Sequence, residues 1–211
     1  MFRPHTVFFA VLAAAALPAL AQTAQRPSVK VGDSATYAMQ LLSDRQVFDS
    51  TVLVRSVDEQ RIVSTVRRSD RPGIDAEQVL TRDLDMVKSG SSGRTFSPSA
   101  GMLRFPLTVG DRWKAESDTT GASGDRTRNT ADCQVFGVEK VPVPAGEFDA
   151  MRVECKGWIN GVSWTGSMRY ETTQWYAPEA ARTVKTIYKD WRGSQLWTHS
   201  VSELKSVSSA P

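Results

Sequence analysis

The chain has 211 residues, of which 40% are apolar by a broad count, and its formal net charge is +3. The apolar content argues against low-complexity disorder, and the length suits one well-packed domain. Two cysteines exclude a disulfide-dense miniprotein, and two histidines leave few ligands for a histidine-rich metal centre. We predict no metal site and no cofactor.

The first 21 residues have the organisation of a secretory signal peptide. A basic start precedes an apolar run from Val7 to Leu17, and Ala19 and Ala21 form the small-x-small pattern of a cleavage site. The alternative is a buried N-terminal helix. We predict cleavage after Ala21 and a periplasmic location. No cysteine follows the cleavage site, so the sequence predicts no lipid-anchored N-terminus.

The remaining chain, residues 22–211, is predicted to be a single β-rich domain in which residues 206–211 form a disordered tail. No second segment reaches the length of about 18 apolar residues that a membrane span needs, so we predict no transmembrane segment in the mature protein. Acidic residues are interleaved with the basic ones, as where Asp70 follows Arg67 and Arg68. This mixture argues against nucleic-acid binding.

Beyond residue 28 the dominant hydrophobic period is two, which predicts strands. The segments that fit this period are Ser28–Leu42, Gln46–Val57, Arg61–Arg68, Gln134–Val141, Glu147–Ile159, Val162–Tyr176, Ala181–Trp191 and Gln195–Lys205. Asn160 and Gly161 give the strongest two-residue hairpin signal in the chain. We predict a mainly β protein with a single curved antiparallel sheet or half-barrel of about 8–10 strands.

Asp75–Gly90 fits two structures. Its local capping signals favour a helix slightly, whereas its apolar residues also share one face of a strand. Two further segments, Lys88–Gly101 and Ser117–Thr130, have the composition of loops. Most such segments are surface connections, and the alternative is a mobile rim around a ligand opening. A shared Val-Gly-Asp turn, at Val31–Asp33 and Val109–Asp111, hints at two related halves of the sheet.

Three motifs in the second half of the chain occur together in a recognisable order. They are F-P-L-x-V-G-x-x-W at Phe105–Trp113, V-P-A-G-x-F at Val143–Phe148 and W-Y-x-P at Trp175–Pro178. The set resembles uncharacterised exported proteins of Gram-negative bacteria, families of unknown function with a curved antiparallel sheet comparable to periplasmic lipoprotein carriers. The resemblance implies a strand at Asp75–Gly90 and no catalytic residue.

Residues for common enzyme mechanisms are sparse. His199 is the only histidine after residue 21, and it lies outside any nucleophile-elbow motif, so a structural role is favoured over that of a base. Asp83 and Asp85 could present two carboxylates on one strand face, but no third ligand is nearby for calcium. We predict that the protein is not an enzyme, with a hydrolase as the alternative.

All six tryptophans lie at or after residue 113. Aromatic residues at strand spacing usually form a core, and the alternative is a ligand surface. The candidate ligand-binding residues are Trp113 at the rim of an opening, Trp164 and Tyr170 in the interior, and Trp175. These residues favour a non-catalytic periplasmic binding protein for an apolar or amphipathic, lipid-like ligand. The alternative is an envelope interaction module that binds a protein or glycan.

The two cysteines are placed symmetrically about a turn at Pro144. In an antiparallel hairpin centred there, Cys133 is the direct partner of Cys155, Val135 of Val153 and Gly137 of Met151, all on one face. A cross-strand disulfide suits an exported protein, and two buried free thiols are the alternative.

Overall fold

The structure, a computed structural model, describes residues 22–210, so the predicted signal peptide lies outside the described residues. In chain order the strands are β1 Thr23–Ala24, β2 Ser34–Leu41, β3 Gln46–Val57, β4 Arg61–Arg68, β5 Asp75–Thr81, β6 Met86–Lys88, β7 Thr95–Ser97, β8 Leu107–Thr108, β9 Arg112–Thr120, β10 Arg126–Val143, β11 Gly146–Gly161, β12 Ser167–Ala177, β13 Arg182–Arg192 and β14 Gln195–Ser208. Within this part of the chain, no helix has the length and apolar character needed to cross a membrane.

Twelve of these strands form a closed antiparallel barrel in the order β10-β11-β12-β13-β14-β2-β3-β4-β5-β6-β7-β9, and β9 pairs with β10 to close it. The predicted single curved sheet or half-barrel is therefore wrong. The two predicted loops contain the strands that complete the barrel. β7 lies within Lys88–Gly101 and pairs with β9, while Ser117–Thr130 holds the end of β9 and the start of β10.

Asp75–Gly90 contains two strands, β5 and β6, joined by a turn in which Leu84 has a positive φ. The strand interpretation that the resemblance implies is therefore correct. The predicted two-residue turn at Asn160 and Gly161 is wrong, because both residues belong to β11 and the turn is the five-residue loop 162–166. Asn160 instead pairs with Ser167 at the start of β12.

The predicted disordered tail is also partly wrong, since β14 continues into it. Ser206, Val207 and Ser208 pair with the first residues of β2. The backbone N–H of Ala210 then donates to the Asp33 carboxylate at 3.0 Å. The first residues of β2 provide these residues with backbone hydrogen-bond partners, which the polar sequence of the tail does not reveal.

The two Val-Gly-Asp turns make the same contacts. Gly32 donates its N–H to Val54 O at 3.0 Å, and Gly110 donates to Val135 O at 2.9 Å. Both glycines have a positive φ, a conformation that side chains disfavour. A β-bulge follows each acceptor, between Val54 and Ser56 and between Val135 and Gly137. The two halves of the barrel thus repeat one local arrangement.

Cys133 and Cys155 form the predicted disulfide between direct partners on β10 and β11, with their Cα atoms 4.1 Å apart. The pairing of Val135 with Val153 is also correct. The pairing of Gly137 with Met151 is wrong, because the bulge at Phe136 shifts the register by one residue.

Removing this crosslink is expected to lower the free energy of unfolding by about 3 kcal/mol, because the bond restricts the unfolded chain over a separation of 22 residues. Urea unfolding of the Cys133→Ala, Cys155→Ala double variant measures this change. Thiol titration of the unreduced, denatured wild-type protein provides the independent check. It should find no free thiol, and two thiols per chain would contradict the crosslink.

The register assigns each side chain to the inside or the outside of the barrel, because direct antiparallel partners share a face. One ring of partners passes through the buried disulfide and defines the inner face; its members are Trp113, Cys133, Cys155, Thr172, Tyr188, Ser200 and Leu41. The alternate positions of β9 and β10, such as Lys114, Glu116 and Arg128, are exposed. They form the outer face.

The segment between β7 and β9 plugs one end of the barrel. This plug includes β8, and the short strand β1 pairs with β8. Leu103, Phe105 and Leu107 are buried in a cluster with the inner faces of β9–β12. The ring of Phe105 meets Tyr176 edge-on at a centroid distance of 4.8 Å. Asp85, in the β5–β6 turn, accepts hydrogen bonds from the backbone of the plug. The barrel core is therefore concentrated at this end.

A second, smaller cluster lies where the tip of the β10–β11 hairpin packs against β12–β14 and β2. Its buried members are Ala35, Val141, Ala150, Ala177, Val184 and Leu204. Ala145, at the tip, donates its N–H to Leu204 O at 3.0 Å. This contact fixes the hairpin across the same end of the molecule as the plug.

Candidate functional site

The two ends of the barrel differ in how they are filled. The plug occupies the end at which β10 passes into β11. The opposite end, here called the open end, is bordered by the six loops 42–45, 69–74, 89–94, 121–125, 162–166 and 193–194. Because antiparallel strands alternate in direction, these six loops necessarily lie together at one rim.

The lumen is not uniformly packed. Phe48, Ser50, Val66, Tyr170 and Asp190 are buried on the inner face. Many other inner-face side chains along the barrel are partly exposed, and they are Met39, Leu41, Val52, Ala76, Gln78, Gln174, Thr186, Tyr188, Thr198, Ser200 and Ser202. Close-packed interiors leave few voids larger than a water molecule. Partial exposure of so many inward side chains therefore indicates accessible space inside the barrel.

One wall of this lumen is polar. The hydroxyl of Tyr188 donates to Asp190 at 3.1 Å, and the backbone N–H of Thr198 donates to the other carboxylate oxygen at 3.0 Å. Tyr170 stacks on Tyr188 with a centroid distance of 6.2 Å. Burial, and after it the charge of Asp190, raises the pKa of Tyr188, so this phenol stays protonated as a donor.

A second hydrogen-bonded group lines the neighbouring wall, on β9 and β10. Thr127 donates to the side-chain oxygen of Asn129 at 3.0 Å, and the amide of Asn129 donates to Thr119 at 3.0 Å. All three side chains are buried. Their mutual bonds satisfy polar groups that would otherwise destabilise the barrel.

The wall on β2–β5, which follows β14 in barrel order, carries several apolar side chains. Phe48 and Val66 are buried on its inner face, and Met39 and Val52 are partly exposed there. The guanidinium of Arg68 lies over the Phe48 ring, 3.8 Å from its centroid. The lumen thus offers apolar side chains on β2–β5 beside the hydroxyl groups of β13 and β14, an arrangement that suits an amphipathic molecule.

A pocket of about 550 Å³ opens at the rim between four of the six loops. Its lining includes Trp164, Met168 and Arg192, together with an ion pair in which Arg94 lies 3.2 Å from Asp125. This volume falls within the range of small-molecule sites, about 300–1,000 Å³.

The loop 89–94 crosses part of this opening. A Cβ atom at Gly90 would lie 2.5 Å from Val66 and 3.3 Å from Gln78, so the backbone of this loop packs on the inner faces of β4 and β5. At its other end, Arg94 pairs with Asp125. The loop therefore narrows the opening on the β4–β7 side and leaves the β11–β14 side wider.

Two predicted ligand-binding residues lie at this site. Tyr170 is on the inner face and buried, as predicted. Trp164 is predicted on the inner face of a strand, but it lies in the loop 162–166 at the rim, with 36% of its surface exposed. The rim position follows from the five-residue loop, which ends β11 before Trp164.

The other two candidates lie elsewhere. Trp113 is predicted at the rim of the opening, but it lies at the plugged end, where its indole N–H donates to Gly101 O at 2.8 Å. Trp175 is on the outer face, where its indole N–H donates to the Glu139 carboxylate and Lys185 lies 5.9 Å from its ring centroid. These contacts give both tryptophans a structural role.

The carboxylates considered for catalysis are separated by their partners. Asp83 pairs with Arg26 at 2.5 Å. Asp85 accepts N–H groups from Gly101 and Met102 at 2.5 and 2.8 Å. His199 lies on the outer face opposite Lys189, and burial, followed by that charge, lowers its pKa. Asp83 and Asp85 each have a structural partner, and His199 lies on a different strand, β14.

Arg94, Tyr188 and Asp190 are the site residues that sequence reasoning missed. Tyr188 and Asp190 occupy alternate positions of a predicted strand, so their shared face was available from the sequence. Which of the two strand faces points into the barrel could not be predicted, because the other face carries Ile187 and Lys189 and is an equal mixture of apolar and charged residues. Arg94 lies in a segment whose composition predicts only a loop.

The fold is that of an all-β protein with a closed, internally plugged barrel, and solved structures share it. An exported protein predicted for Bacteroides fragilis, described as having a YmcC-like fold, matches with a TM-score of 0.54 and 15% identity, covering 88% of this chain and 99% of that one. A lipoprotein predicted for Parabacteroides distasonis matches with a TM-score of 0.54 and 12% identity, with the same coverage.

The hypothetical lipoprotein YmcC from Escherichia coli matches with a TM-score of 0.51 and 11% identity, covering 84% of this chain and 85% of its own. At these identities the likeness extends to the fold alone. No protein-family model and no curated protein matches the sequence.

Proposed function

We propose that the protein is an exported, non-catalytic binding protein that holds an amphipathic, lipid-like ligand in the barrel through its open end. The observation that carries this proposal is the partly exposed inner face near that end, with an apolar wall on β2–β5 and hydroxyl groups on β12–β14. An acyl chain would lie against Met39 and Val52, and its polar group would face Tyr188 and Thr198.

Two further features support the proposal. Both oxygens of Asp190 accept hydrogen bonds, one from Tyr188 and one from Thr198, so this carboxylate fixes the position of the Tyr188 hydroxyl in the lumen. The signal-peptide pattern of residues 1–21, and the exported or lipoprotein descriptions of the structural neighbours, favour an envelope location.

The affinity that this lumen could provide is measurable. Burial of an acyl chain contributes about 0.8 kcal/mol per methylene, so a chain of about sixteen carbons gives micromolar binding after the cost of association. We expect saturable binding of dansyl-labelled undecanoic acid and of a lysophospholipid to delipidated protein, followed by tryptophan emission.

The variant Trp164→Phe is expected to lose most of the emission change, because Trp164 lines the pocket. Trp175→Phe is the matched control and is expected to keep that change, since Trp175 lies on the outer face. Absence of saturation in folded, delipidated protein would contradict the proposal and favour the interaction module.

A further inference from the structure

Exposed apolar side chains are concentrated at the open end. Among the residues that the structure describes, twelve large apolar side chains are exposed, and eight of them lie on the rim hairpins: Leu42, Val47, Ile74, Trp158, Val162, Trp164, Leu196 and Trp197. The four hairpins that carry them, β11–β12, β13–β14, β2–β3 and β4–β5, are consecutive in barrel order. The apolar side chains therefore follow the rim around most of its circumference.

The tryptophans of this rim are accompanied by arginines. Trp158 is 51% exposed, and its cross-strand partner on the outer face is Arg169. The guanidinium of Arg169 lies 4.0 Å from the ring centroid of Trp191, its own partner on the next strand. On the next hairpin, Arg192 lies 3.7 Å from the ring centroid of Trp197, which is 47% exposed. Each arginine is thus held beside an indole at the edge of the opening.

The charges at the rim leave an excess of cations. Three acids there are neutralised, in the pairs Asp70 with Arg68, Asp75 with Arg67 and Asp125 with Arg94. Within residues 22–210, Arg45, Arg71, Arg126 and Arg192 have no ion pair, against two acids near this rim without one, Asp44 and Asp190. An anionic surface would provide the missing partners.

We propose that the open end docks on a lipid bilayer whose surface carries anionic headgroups. A bilayer surface is planar, so it meets the loop tips of several consecutive hairpins at once. Tryptophan prefers the depth of the headgroups, where its ring is buried and its N–H stays hydrated. Arginine binds phosphate through paired N–H groups.

This docking goes beyond the proposed function, because it requires no ligand in the lumen. It also places the opening of the lumen against the membrane, so an amphipathic molecule could pass between bilayer and barrel without crossing water. A protein partner would instead need a complementary ring of acidic and apolar groups around the same rim.

Vesicle co-sedimentation tests the proposal. The purified protein is expected to bind vesicles of phosphatidylethanolamine and phosphatidylglycerol, and to bind phosphatidylcholine vesicles more weakly, with the difference lost at high salt. The double variant Arg126→Gln, Arg192→Gln is expected to bind the anionic vesicles about tenfold more weakly. Trp164→Ser with Trp197→Ser should weaken binding to both vesicles.

The matched control is Phe136→Ser with Arg112→Gln, an exposed aromatic residue and an exposed arginine away from the open end; it should bind like wild type. Failure of the wild-type protein to bind either vesicle overturns the docking proposal, whether or not the fatty-acid titration saturates. Equal loss in the control pair also overturns it. If the protein does not bind vesicles and a photo-crosslinker at position 197 captures an envelope protein, the rim is assigned to a protein partner.

Discussion

Replacing Asp85 by alanine is expected to lower the free energy of unfolding by about 4 kcal/mol, because it leaves buried backbone donors of the plug without a partner. The carboxylate is buried and accepts N–H groups from Gly101 at 2.5 Å, Met102 at 2.8 Å and Leu103 at 3.4 Å. Hydrogen bonds to a charged group are each stronger than neutral ones. Urea unfolding followed by tryptophan emission measures the change.

Asp83 provides the matched control two residues away. It is partly exposed and pairs with the exposed Arg26, so Asp83→Ala is expected to change stability by less than about 1 kcal/mol. Asp85→Asn keeps one acceptor oxygen and should fall between the two alanine variants. Equal effects of Asp83→Ala and Asp85→Ala would show that the plug does not depend on these backbone bonds.

The pH dependence of stability tests the environment of Asp85 separately. Burial raises the pKa of this carboxyl above its ordinary value, so the folded protein binds the proton more tightly than the unfolded chain. Stability contributed by such a group is present at low pH and decreases as the pH rises from about 4 upward. The advantage of wild type over Asp85→Asn should therefore shrink across that range, and growth of the advantage would contradict the dominance of burial.

Part of the fold could be predicted because turn chemistry and period-two patterns coincide. The hairpin of β3 and β4 and the pairing of Cys133 with Cys155 follow directly from such signals. The closure of the barrel could not be predicted, because β9 and the start of β10 direct Ser117, Thr119 and Asn129 inwards. Asn129 and Thr119 hydrogen-bond to each other only after the strands have paired, so no apolar alternation marks the strands.

The site was predictable to a smaller extent. Tyr170 could be assigned to the inner face from the alternation along its strand, but the length of the preceding loop, which places Trp164 at the rim, could not. Both segments with loop composition contribute to the rim, Arg94 from one and Asp125 from the other. Composition could therefore predict that these two segments border an opening. It could not predict that Arg94 pairs with Asp125, because that contact depends on closure of the barrel.

A phenylalanine at position 202 is expected to weaken binding of the labelled fatty acid roughly two-hundredfold. Ser202 is partly exposed on the inner face, between Thr186 on β13 and Met39 on β2. A phenyl ring there would displace about four methylene groups of the ligand, each worth about 0.8 kcal/mol. The matched control is Val201→Phe, whose side chain lies on the outer face beside Ile187 and Gln40 and should leave binding unchanged. The proposed function requires accessible space in the lumen at this position, so Ser202→Phe should also unfold at the same urea concentration as wild type. A loss of about 1–3 kcal/mol in stability would instead indicate a packed interior, and that result would contradict an accessible lumen.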